Sequence, residues 1–244
     1  MCSITLESTP RFELVIPDVY PEPVYPEYIK PIGLRYKANL TNLTKLDELS
    51  QQTIEAYYFL QYLTDEKVNQ CCTRMTITIQ EFRTRNNQLM RQLTKIAQYK
   101  IPESSKPYGL IFELFANTAL IHSIAYNSKS SRVGSVIELL VKRIRATLEV
   151  INISSFQIAF PEMILWIIIS GGVSSIRTQH EAFFVRVLAE ACLAAGINDY
   201  TSEIGIFLGG FMWNALYMNA AAIPFWDKVA AAKLQAKKAD TSWV

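Results

Sequence analysis

The stretch Phe160–Ser175, FPEMILWIIISGGVSS, is the most apolar part of a 244-residue chain. It admits three readings: a membrane span, a phosphate loop or a buried helix. A span needs about 20 consecutive apolar residues, and the uninterrupted run is only Met163–Ile169. A phosphate loop places a strand before its glycines and Lys-Ser/Thr after them; here Val173 and Ser174 follow Gly171-Gly172. Pro161 and Glu162 suit the first turn of a helix, where a missing donor costs nothing and a carboxylate meets the positive end of the helix dipole. Gly171 and Gly172 read as its stop. A helix over Pro161–Ser170, buried on nearly all sides, is therefore predicted.

Composition agrees with a packed interior. Half of the residues are hydrophobic and 19% are charged, far from the signature of a disordered chain. A formal net charge of +2 does not mark a polyanion-binding surface, which shows dense basic stripes. MCSITLESTP lacks the basic start and apolar run of a secretory signal, so an intracellular protein, nuclear or cytoplasmic and without a membrane association, is expected. In that setting the Asn-x-Ser/Thr triplets at Asn39, Asn42 and Asn152 are accidental. The four cysteines, Cys2, Cys71, Cys72 and Cys192, fit free thiols in a reducing compartment.

Outward from Phe160, the pattern stays helical. Helices are expected near 43–63, 77–98, 108–126, 133–151, 179–195, 201–213 and 224–237. Their inward faces include Leu46, Leu49, Thr53, Tyr57 and Leu60 in the first, and Phe82, Leu89, Leu93 and Ile96 in the second, with Arg83, Arg85, Arg91 and Lys95 outward. No alternating run calls for a sheet. Prolines at 10, 17, 21, 23, 26 and 31, interleaved with Tyr20, Tyr25 and Tyr28, predict an extended arm lying on the domain. The expected architecture is all-α: an arm over residues 1–41 and one orthogonal multi-helix bundle over 42–244.

Several of these stretches together carry a resemblance. ILWIIISGGVSS, FFVRVLAEACLAAGI, IGIFLGGFMW and PFWDKV, preceded by LIFELFANTALIHSIAY and LLVKRIRATLEV, resemble the C-terminal half of the regulatory region of fungal binuclear zinc-cluster transcription factors. The matching positions are Leu165, Trp166, Gly171 and Gly172; Phe183, Phe184 and Val185; Phe211, Met212 and Trp213; and Phe225, Trp226 and Val229. The resemblance covers roughly Tyr108–Val229. It implies an all-α regulatory domain, and because these residues are apolar it reports a fold and not a reaction. The family's zinc-binding DNA module needs six spaced cysteines, which four scattered ones cannot supply. A stand-alone relative without DNA contact of its own is the expectation, binding a hydrophobic small molecule or a protein partner, or forming a homodimer. The alternative is an enzyme recruited from the same helices, a cyclase or isomerase of secondary metabolism.

For the binding role the candidates are Trp166, Phe207, Phe211, Trp213 and Trp226, the aromatic set that lines apolar pockets elsewhere. Gly205, Gly209 and Gly210 are placed where helices could approach closely. For catalysis the candidates are Glu113 and Asn117, four apart on one face of a very apolar helix, where a buried carboxylate must be paired or titrate high. His122 and His180 are too isolated for a metal site, and no metal or cofactor is predicted. Asn198–Glu203 is similar to the Asn-Asp-x-x-Ser box of class I terpene cyclases, but Ile206 stands where that box needs a carboxylate. Asp199 and Thr201 are read instead as a helix N-terminus.

Overall fold

A computed structural model describes residues 30–71, 76–127, 134–197, 203–212, 217 and 221–241. Among them are ten α-helices and no strand: α1 (Lys30–Thr44), α2 (Asp47–Cys71), α3 (Ile79–Ala97), α4 (Lys106–Asn127), α5 (Gly134–Val150), α6 (Ile153–Ala159), α7 (Pro161–Ser174), α8 (Glu181–Ala194), α9 (Glu203–Leu208) and α10 (Ile223–Thr241). The chain divides into two compact units, Met1–Val136 and Ile137–Val244, where the sequence reading expects one bundle.

In the first unit, α1 begins at Lys30, inside the region expected to be an extended arm. Pro31 is the reason: in a first turn its missing N–H is one that would have no helical partner anyway. Gly33, Tyr36, Leu40 and Thr44 then bury one stripe of α1. Residues 1–29 of the expected arm lie outside the described residues. In α2, Leu49, Thr53, Tyr57 and Leu60 are all buried as expected, and in α3 so are Phe82, Leu89, Leu93 and Ile96. Thr78 starts α3 by accepting a hydrogen bond from Glu81 N at 3.1 Å. Arg85, expected outward, is buried. Its guanidinium is held by Glu81 at 2.8 Å and lies 5.6 Å from the centre of the Tyr62 ring, so the charge keeps a partner while its stem packs.

α4 packs against α1, α2 and α3. Tyr108–Ala125 is the one stretch among the described residues long and apolar enough to cross a membrane, and most of it is buried inside the protein. The 14-residue α7 is too short to do so.

The second unit is built on α7. Every residue from Met163 to Gly172 is buried. The double glycine does not stop this helix, which continues to Ser174. Its role is contact: a β-carbon at Gly171 would overlap the ring of Phe184 from α8, and one at Gly172 the ring of Phe225 from α10. The two rings lie directly on α7 backbone. The helix that does end on a glycine is α8: Gly196 has φ +68°, its N–H bonds Leu193 O at 3.1 Å, and Ile197 N bonds Cys192 O at 2.9 Å. This is a Schellman end, and the ammonium of Lys233 from α10 donates to Ile197 O beside it.

Gly172→Ala is expected to lose about 1–3 kcal/mol of stability through overpacking, although alanine is the better helix former by about 1 kcal/mol. Urea unfolding followed by tryptophan fluorescence measures it. A midpoint unchanged or raised would show that Phe225 has room to move.

Candidate functional site

Four of the five aromatic candidates fall in the described residues, and three of them belong to solid core. Trp166 and Phe211 are fully buried with ring centres 5.7 Å apart, and Trp226 is 3% exposed. They are tied together by Tyr217. Its hydroxyl accepts from Trp166 Nε1 at 3.1 Å and pairs with Ser170 Oγ at 3.0 Å, while its carbonyl accepts from Trp226 Nε1 at 2.7 Å. Both indole N–H groups have an acceptor, so these rings need no ligand to complete them. Trp213 lies outside the described residues.

Phe207 behaves differently. It is half-buried on α9 and lines a groove of about 360 Å³ formed by α6, α7, α8 and α9. Buried Leu165 and Ala191 make its floor; Pro161, Ala194 and Ala195 continue the apolar wall, and Ser154 and Gln157 of α6 supply the polar groups. Ile158, which also lines it, is 86% exposed, and Ile206 next to Phe207 is 81% exposed. The volume falls within the range of small-molecule sites, roughly 300–1,000 Å³.

α6 positions three of the nine residues that line this groove. Its N-cap is Asn152, whose side chain accepts from Ser155 N at 3.2 Å. Thus one of the triplets read as an accidental sequon is a helix start signal, and it is the cue that could have revealed α6 and with it Ser154, Gln157 and Ile158. Of the glycines expected to let helices approach, Gly205 is half-buried within α9, Gly209 and Gly210 lie exposed in the turn after it, and a β-carbon on Gly209 would meet the carbonyl oxygens of Gly205 and Ile206. The close approaches are made by Gly171 and Gly172 instead.

A second, wider depression runs between α8 and α10 over Ala182, Ala231, Ala232 and Ala236. It is bridged by Lys228 and Glu181 at 2.6 Å, and the hydrogen bond from Lys228 holds the Glu181 carboxyl below its ordinary range. Around this depression and the end of α7, several polar groups pair within the protein. Arg186 bonds Glu190 at 3.1 Å, Arg177 N bonds Glu181 at 3.0 Å, and Arg145 lies 3.4 Å from Nδ1 of the buried His180.

The catalytic candidates lie in the first unit. Glu113 is half-buried and engaged in interactions of its own. Asn117, one turn on, is fully buried, and neither atom of its amide has a hydrogen-bond partner among the described residues. The Ser123 hydroxyl on the same helix is in the same condition. His122 is buried on another side of α4, with Nε2 3.0 Å from Thr64 Oγ1. The Thr64 hydroxyl also lies 2.8 Å from Leu60 O, so it links the imidazole to the backbone of α2. Burial lowers the His122 pKa to about 4. Among the described residues no three His, Cys, Asp or Glu side chains come together to hold a metal ion.

No protein-family model, curated protein or solved structure matches the chain.

Two measurements test the buried polar groups of α4. The unfolded chain binds a proton at His122 near the ordinary value of 6.5, and the folded one only near 4. Stability contributed by the neutral imidazole is present above pH 6.5 and falls as pH drops toward 4, by up to about 1.4 kcal/mol per pH unit. His122→Gln is expected to flatten that slope in urea titrations across the window; an unchanged slope would place the proton elsewhere. Asn117→Leu removes two amide atoms without partners and is expected to raise stability by about 1–3 kcal/mol, read as a higher urea midpoint.

Proposed function

We propose that this chain is a stand-alone regulatory-type domain that takes an apolar small molecule in the groove of α6, α7, α8 and α9, and makes no direct nucleic-acid contact. The observation that carries this reading is the groove itself: an apolar recess of about 360 Å³ on the flank of α7, lined by the exposed side chain of Ile158 and the half-buried ring of Phe207. Contiguous exposed apolar surface of this kind marks binding sites more often than bare surface. The resemblance to the regulatory region of zinc-cluster transcription factors supports the regulatory side of the proposal, as does the all-α architecture. An intracellular location, nuclear or cytoplasmic, belongs to the same reading.

The second reading is an enzyme of small-molecule cyclisation or isomerisation. One observation favours it: the fully buried amide of Asn117, without a partner and one turn from Glu113. Buried polar groups are normally satisfied, and exceptions concentrate where something else is bound or reacted.

Nile red, an uncharged fluorophore that brightens in apolar surroundings, reports on the groove directly. Saturable binding at one site is expected, and Ala194→Trp, an exposed position whose new ring would fill the recess, is expected to abolish it. Binding that Ala194→Trp leaves intact, or no binding at all, overturns the groove as the site.

A further inference from the structure

Resting on the groove reading above, we infer that the ligand is an uncharged molecule with an apolar body and one neutral hydrogen-bonding group, a hydroxyl or carbonyl, met by Ser154 and Gln157. The nine lining residues include no Asp, Glu, Lys, Arg or His. An ionised group set on Leu165, Ala191 and Phe207 would lose water with no opposite charge in the lining to meet it, a cost that pairing alone offsets.

The carboxylates nearest the lining along the chain, Glu162 beside Pro161 and Glu203 one turn before Phe207, are engaged in interactions within the protein. Ala194, the last residue of α8, and Ala195 after it line the recess together with Pro161 from the first turn of α7, so helix ends of opposite polarity meet there and neither sign of charge is favoured. A cation does stand near the end of α8, Lys233, but it is buried and its ammonium is already committed to the carbonyl of Ile197. Arg186, two turns earlier on α8, is paired with Glu190 at 3.1 Å. What remains for recognition is neutral. The Ser154 hydroxyl both donates and accepts, and the Gln157 amide offers two donors and an acceptor. Together they match an alcohol or a ketone and leave a carboxylate or a phosphate without its counter-charge.

Three probes of one chain length separate the possibilities: 1-octanol, octanoate at pH 8 and octyltrimethylammonium, each used below its micelle concentration to displace Nile red. Octanol is expected to displace the dye at a concentration lower than either ion needs by at least about tenfold. The double substitution Ser154→Ala, Gln157→Leu, at an exposed and a half-buried position, is expected to narrow that preference, read as the ratio of displacing concentrations against the variant's own dye titration. Octanoate or octyltrimethylammonium matching octanol would overturn the neutral-ligand inference while leaving the groove standing, as would a preference the double variant does not narrow. If Ala194→Trp fails to block the dye, the groove reading falls first. A dye signal that Ala194→Trp removes, together with a change from dimer to monomer in sedimentation, would assign the recess to a second copy of this chain and overturn the small-molecule ligand.

Discussion

Met163 through Gly172 present no polar face to water, so α7 has to be covered on every side. That requirement organises the second unit. α8 packs along α7, and α6 and α9 contact it as well. From α10 the Phe225 ring reaches the Gly172 backbone, while Phe184 of α8 occupies the place of a side chain at Gly171. A ring fully buried in this way contributes on the order of 1.5–3 kcal/mol. The two glycines trade helix propensity for a closer approach, and no other residue type would let both rings sit so near the helix axis.

Much of this was legible from residue pattern alone. An apolar run too short for a bilayer and opened by Pro-Glu could only be a core helix, and α7 is one. The inward faces of α2 and α3 followed from three- and four-residue spacing. What the pattern could not decide was why Gly171 and Gly172 are glycine, because a stop signal and a contact surface are written with the same letter. α6 was invisible for a different reason: seven residues are too few for periodicity, and its only announcement is the Asn152 cap.

The candidate site was legible in one residue. Trp166, Phe207, Phe211 and Trp226 look alike as sequence, since a solid interior and a hollow one are built from the same aromatics. Only position separates them: Trp166 and Trp226 both bond Tyr217, Phe211 packs on Trp166, and Phe207 remains at an edge. The rest of the groove is made of three alanines, a leucine, an isoleucine, a proline, a serine and a glutamine drawn from separate helices, none of which stands out in a chain that is half hydrophobic. Asn117 could be singled out because a polar residue in a very apolar helix is conspicuous; the absence of a partner for its amide is a property of packing alone.

The seating of Phe225 on Gly172 also sets a timetable. About fifty residues separate them along the chain, so a ribosome that has finished α7 must add that length before the last cover exists. At ordinary elongation speeds this is about 3–10 s, an interval in which the greasiest helix of the protein is uncovered on one flank. During synthesis, then, the segment is a natural substrate for holding chaperones, and the yield of correctly assembled protein depends on how quickly the last helix arrives.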